Sequence, residues 1–187
     1  HLEAALPGIL EDAEANLSGA LRFLLAQLSL ELEQTAQRIQ EADAAIQRAV
    51  RENEACQRLV TIPGIGPVTA TAVIAAIGNG AAFHKGREFA AWVGVVPRQR
   101  STGGKQTLLG ISKRGNAYLR RLFVQGARAV LQQKARQSPG LRAWLDPLTA
   151  RTHHHVACVA LANKLARTAW AVLSSQEVYR PPQLAAV

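Results

Sequence analysis

From about Leu17 to Val60 apolar side chains recur with helical spacing: Leu25, Leu32, Ile39, Ile46 and Val60 fall every seventh residue, with Asn53 in the same row. An interleaved row holds Leu28, Thr35, Ala42, Ala49 and Cys56, and Gln, Glu and Arg fill most of the other positions. Two such rows make a coiled-coil seam, one side of which is mostly small. No Gly or Pro intervenes between Ala20 and Thr61. The pattern therefore predicts a helix of about forty residues, on the order of 60 Å long. A helix of that length seldom stands alone. It predicts an arm through which protomers pair; the alternatives are a helix packed on its own chain, or a hairpin broken near Ala42 to Ala45.

The seven residues Thr61-Ile62-Pro63-Gly64-Ile65-Gly66-Pro67 end this helix, and Val68 to Ile77 restarts one. Helix, tight glycine turn, helix is the expected result, with Ile62, Ile65 and Val68 packing the turn from beneath. Gly78-Asn79-Gly80 then leads to an aromatic and basic connector (Phe83, His84, Lys85, Arg87, Phe89) and to Ala90–Pro97, read as a short helix ending near Gly94. Pro97 to Gly110 holds three Gly and one Pro, which predicts a loop or a hairpin of short strands. Asn116 can cap a helix running to about Gln137, a Ser138-Pro139-Gly140 stop precedes a short element over Leu141–Leu148, and His155–Leu173 reads as a last core helix. The fold class is mainly α: a long coiled-coil helix, then a compact helical domain containing a helix-hairpin-helix element. The expected divisions are an oligomerisation arm over 1–58, a compact domain over 59–175 and a loose tail over 176–187.

With 187 residues, 48% of them apolar, the chain can bury a sizeable core. Its formal charge of +9 is unevenly spread. Residues 1–58 hold ten acids and five Arg, whereas residues 59–187 hold three acids (Glu88, Asp146, Glu177) and seventeen Lys and Arg. Between Glu88 and Asp146 there are 57 residues, eleven of them Lys or Arg, without one carboxylate. A stretch of that length without an acid points to a phosphate-rich partner. Cys56 and Cys158 lack metal-ligand spacing and read as small buried hydrophobes in a reducing compartment such as a cytoplasm. The apolar run Val68–Ile77 falls short of the roughly 18 residues of a membrane span, so no membrane partner is expected. Methionine is absent and the first residue is His1, which suggests a piece of a longer protein.

Three constellations carry candidate chemistry. The glycines Gly64 and Gly66 suit a turn in which backbone N–H groups approach a phosphate at a helix N-terminus; the alternative is a tight interhelical turn without a ligand. The run His153-His154-His155 invites a metal, yet three consecutive ring directions diverge on a regular backbone, so helix entry or nucleic-acid contact is preferred. Arg98-Gln99-Arg100-Ser101-Thr102-Gly103-Gly104-Lys105 lacks the Gly-Lys-Ser/Thr end of a nucleotide loop. It can be a phosphate clamp, or a nucleophile loop in which Ser101 sits among Arg98, Arg100 and Lys105, with Gly103 and Gly104 leaving room for a bulky backbone. Farther on, Arg114, Arg121 and Arg128 are seven apart and would line one helix face, with Lys113 and Arg120 beside them.

Taken in order, Ile62-Pro-Gly-Ile-Gly66, Phe89-Ala-Ala-Trp-Val-Gly-Val-Val-Pro97, Ser101-Thr-Gly-Gly-Lys105, Gly110 to Leu122 and Ala160-Leu-Ala-Asn-Lys164 resemble the C-terminal domain of a group of bacterial insertion-sequence transposases. These pair a RuvC-like DEDD domain with a serine-bearing domain, are relatives of the Piv-type DNA invertases and are known as bridge-RNA-guided recombinases. The resemblance covers about residues 59–175, and residues 17–58 match the coiled-coil linker of such proteins. It implies a recombinase whose serine attacks a DNA phosphodiester and stays joined to the strand, with partners that are DNA, a guide RNA and further copies of the chain. The serine maps onto Ser101, with Thr102 one step away in register. Ser112 is a rival hydroxyl, assigned to binding. The family's four acids have no counterparts in these residues, so Mg²⁺ is expected on a separate DEDD domain and none in this chain.

Overall fold

The computed structural model describes residues 2–12, 16–102 and 104–181, apart from the side chains of residues 2–4, 105, 106, 108 and 136. The chain divides into two compact units, residues 1–47 and 48–187. This places the start of the second unit upstream of the 58/59 division expected from the sequence, because Val50, Cys56 and Leu59 are already core residues.

In the first unit α1 is Leu2–Glu11, and Arg22 donates from its guanidinium to the carbonyl oxygens of Leu10 and, at 3.0 Å, of Asp12. Helix α2 spans Gly19–Glu52. Of the seam expected along it, Leu25 and Ile46 are half-buried, while Leu28, Leu32 and Ile39 are 54%, 44% and 57% exposed. The helix also stops earlier than the heptads predict. Asn53 leaves the helical region (φ −123°, ψ 108°), and its side-chain oxygen accepts the Cys56 N–H at 3.1 Å, which opens a separate helix α3 over Glu54–Val60. Asn competes with the backbone for its own hydrogen bonds, so a residue that is merely awkward in a seam is well suited to a cap.

The second unit is built around α8, His154–Ser175, against which α3, α5 (Gly86–Val93), α6 (Ala117–Gln132) and α7 (Pro139–Arg151) pack. Ala157, Cys158, Leu161, Ala162, Leu165, Ala166, Ala169, Val172 and Leu173 of α8 are buried. They recur at three- and four-residue spacing, and the alanines among them let neighbouring helices come close. By length and composition α8 could cross a membrane, but its apolar side is occupied by this core. Phe89 of α5 and Phe123 of α6 are fully buried and meet edge to face, with centroids 6.0 Å apart.

Helix α4, Pro67–Ile77, contacts α3 and α6. The turn between α3 and α4 buries Ile62 and Ile65, whereas Val68 stays 38% exposed instead of packing beneath it. Helix α6 begins at the Asn116 cap, whose side chain accepts the Leu119 N–H at 3.0 Å. It ends at Gln132 and not near Gln137, because a 3₁₀ turn over Lys134–Arg136 follows and the buried Gln137 amide donates to the Val130 carbonyl at 2.8 Å. Ser138 then caps α7, with Pro139 at its first turn: the expected stop signal is the start of a longer helix than Leu141–Leu148.

Candidate nucleic-acid interface

Strand β1 (Pro97–Thr102) pairs antiparallel with β2 (Lys105–Ile111), and every residue of β1 is exposed. Gly104, at φ +77°, supplies the left-handed backbone of the tip. The register sets Ser101 opposite Gln106, Thr102 opposite Lys105 and Arg100 opposite Thr107, with an irregularity between Pro97 and Gln99. Side chains alternate along a strand. Gln99 and Ser101 therefore share a face, and the Gln99 amide donates to Ser101 Oγ at 2.8 Å. Arg100 and Thr102 take the opposite face. The irregularity after Pro97 breaks the alternation for Arg98. Arg98 and Arg100 are exposed, but a single cluster of cations around Ser101 is not what the alternation produces. Gly103 and the Lys105 side chain lie outside the described residues.

The base of this arm is clamped. Ser112 N–H donates to the Val96 carbonyl at 2.8 Å, Lys113 N–H to Gly94 at 3.2 Å and Asn116 N–H to Trp92 at 3.3 Å. A Cβ on Gly115 (φ +112°) would stand 1.8 Å from the Trp92 carbonyl oxygen, and one on Gly94 (φ +83°) 2.3 Å from that of Arg114. Only glycine fits either side of this crossing. From α8, Asn163 donates to the Val95 carbonyl at 3.3 Å, and from α6, Arg120 donates to Val93 at 3.2 Å. Arg120 is thus a tether at the end of α5, where a cation is favoured. Neither it nor Asn163 was expected to position the hairpin. The signal in the sequence was only a basic residue and an amide at helical positions. Ser112 Oγ is buried and has no hydrogen-bond partner among the described residues, so this hydroxyl is withdrawn from solvent.

Of the arginines spaced by seven, Arg121 and Arg128 lie exposed on α6, but Arg114, with Lys113 at φ +54°, belongs to the loop before the Asn116 cap. The single helical face expected for all three does not form, because the helix starts after the first of them. Beneath Arg128, burial pushes the Cys158 thiol up, and the arginine's charge opposes this in part.

At the α3–α4 turn the two glycines differ. A Cβ on Gly64 (φ +88°) would lie 2.8 Å from both the Gly126 oxygen and Val130 Cγ2, and one on Gly126 would lie 1.9 Å from the Gly64 oxygen. Gly64 is therefore required by packing against α6. Gly66 is exposed, with open space around it, and caps α4 in front of Pro67.

His153 caps α8, its ring accepting the His155 N–H at 3.3 Å, which is the helix-entry role expected for this triplet. Among the described residues no group of three His, Cys, Asp or Glu side chains is gathered as a metal would require. Of the three acids after residue 58, Glu88 accepts the His84 N–H at 2.8 Å and Glu177 pairs with Arg180 at 3.5 Å.

Residues 56–140 match the model of the transposase IS116/IS110/IS902 family. A probable family 20 transposase of Pseudomonas aeruginosa is 45% identical over 178 residues, covering 95% of this chain and 53% of the relative. The transposase for insertion sequence element IS1111A of Coxiella burnetii is 42% identical over 175 residues, 94% of this chain and 48% of the relative. That for IS1328 of Yersinia enterocolitica is 44% identical over 166 residues, 89% and 50% respectively. The chain thus spans about half the length of the curated relatives it matches.

Proposed function

We propose that this chain, which carries an IS116/IS110/IS902-family transposase domain over residues 56–140, is part of a DNA transposase in which Ser101 attacks a DNA phosphodiester. The observation that carries this reading is the hairpin. Inside the matched span, an exposed arm on a clamped base presents Ser101 on one face and Arg100 and Thr102 on the other, with Arg98 exposed on the same strand, in a stretch without acids. In the attack a bond forms between Ser101 Oγ and phosphorus as the bond to one strand oxygen breaks. The proton lost by Oγ balances the one taken up by the departing oxygen. The Gln99 amide, already donating to Oγ, stabilises the charge that develops there. Arg98 neutralises the scissile phosphate, and Arg100, on the other face, meets a flanking one.

Around this centre the exposed Arg121 and Arg128, with Lys113, Arg114 and Lys105, track nucleic acid, DNA and a guide RNA alike. Gly66 and the first turn of α4 lie against backbone, with Gly64 holding the turn on α6. The exposed Leu28, Leu32 and Ile39 of α2 pair protomers, so that two strands are cut in one assembly.

The test is strand joining by the full-length protein with its nucleic acids. Ser101→Ala should lose joining by at least ~10³-fold, as expected for removal of a nucleophile, while DNA binding persists. A second reading, a binding module without catalysis, draws on one observation: among the described residues no carboxylate or imidazole lies within hydrogen-bond reach of Ser101. Undiminished joining by Ser101→Ala would favour it.

A further inference from the structure

A recess of about 790 Å³ lies away from the hairpin, between the start of α5, the outer side of α8 and the segment that follows α8. Five cations line it (Lys85, Arg87, Lys164, Arg167 and Arg180) against one carboxylate, Glu177, which is taken by Arg180 at 3.5 Å. Lys85, Arg87 and Arg167 are exposed and have no ion-pair partner among the described residues. Lys164 Nζ lies 4.9 Å from the centre of the Trp144 ring.

The walls are fixed. A Cβ on Gly86 would stand 3.1 Å from the Arg167 oxygen and 3.2 Å from Trp170 Cε3, so glycine lets the start of α5 press onto α8. Trp170 Nε1 donates to the Gly80 carbonyl at 3.2 Å, and Tyr179 N–H donates to Thr61 Oγ1 at 3.1 Å, which ties the following segment back to the end of α3. Trp170 and Tyr179 both line the recess and are half-buried.

Unneutralised cations on two walls, with Trp170 and Tyr179 in the same lining, match the chemistry of a strand whose phosphates alternate with stackable bases. A duplex carries its phosphates on a convex rod and would only ride over the rim. We propose that this recess binds a single-stranded phosphodiester chain, DNA or RNA, with Lys85, Arg87 and Arg167 on its phosphates and Trp170 beside its bases. The site is separate from the hairpin and does not depend on Ser101 being a nucleophile.

The full chain would be titrated with fluorescein-labelled oligo-dT and oligo-rU of about twelve nucleotides, within the site sizes such grooves accept, and with a duplex of the same length. The triple variant Lys85→Gln, Arg87→Gln, Arg167→Gln should bind both single strands at least ~10-fold more weakly. Its slope of log affinity against log salt should fall by about 2, three contacts at roughly 0.7 each. Its duplex affinity should hold, whereas Arg98→Gln with Arg100→Gln should weaken the duplex more. With Trp92→Phe and Trp144→Phe leaving Trp170 alone, emission should be quenched by the single strands and not by the duplex. The proposal is overturned if the triple variant weakens strand and duplex equally, if it weakens neither, or if Trp170 emission stays unchanged at saturation. The stronger of the dT and rU responses identifies the source.

Discussion

Single residues decide whether the hairpin points anywhere. Gly115 and Gly94 cross so closely that the base of the arm admits no side chain on either. Gly115→Ala combines a left-handed backbone with a 1.8 Å clash against main chain and should cost at least ~3 kcal/mol in urea unfolding. Gly110→Ala, with open space around it, should stay within about 0.5 kcal/mol. Equal losses for the two would contradict the clamp. Asn116→Ala should cost about 1 kcal/mol through the lost cap on Leu119. Glycine punctuation was legible in the sequence, but what each glycine touches was not. Gly64 meets Gly126 and Gly94 meets Arg114 only because tertiary packing brings distant residues together. The same limit applies at Ser101. Its basic neighbours were plain in the sequence, whereas their division between two faces follows from strand register, which composition does not encode.

At the level of elements, local chemistry is legible in the sequence where it acts locally. Gly94 ends α5, Asn116 starts α6, a hairpin fills Pro97 to Ile111, and α8 carries the last core. The long helix was overrun because heptad spacing is indifferent to a polar residue in the seam, while Asn53 prefers to cap. A Ser-Pro pair punctuates helices at either end, so the sequence alone does not tell a stop at Ser138-Pro139 from a start; the Leu141 N–H on Ser138 Oγ shows which end applies. The exposed seam of α2 carries its own prediction. By light scattering the chain should be at least a dimer, and Leu32→Glu with Ile39→Glu should make it monomeric without lowering helix content in the compact unit. A monomeric parent would remove the coiled-coil reading and leave the hairpin chemistry untouched.

Across the whole molecule, charge and burial set what conditions do. Burial pushes the Cys56 and Cys158 thiols above their ordinary 9.0 and the Tyr179 phenol above 10.0. The unfolded chain releases these protons first, so their contribution is complete below those ordinary values and is lost as pH rises through the folded ones. Urea midpoints should therefore fall as pH rises above about 9, first through the two thiols and then through Tyr179, and Cys56→Ala with Cys158→Ala should flatten the first part of that fall. The acid-free basic stretch was visible in the sequence, and the acidic first part equally so. The recess beside α8 was not, since Lys85 and Arg167 meet only in the fold. The central claim remains the identity of the nucleophile. Cleavage after Arg100 and Lys105 releases the peptide Ser101–Lys105, so a denaturant-resistant protein–DNA adduct of the full-length protein can be trapped, digested and sequenced by mass spectrometry. The nucleotide should be on Ser101, with no adduct in Ser101→Ala and an adduct retained in Thr102→Ala. A nucleotide on Thr102, or an adduct that survives Ser101→Ala, would contradict the account.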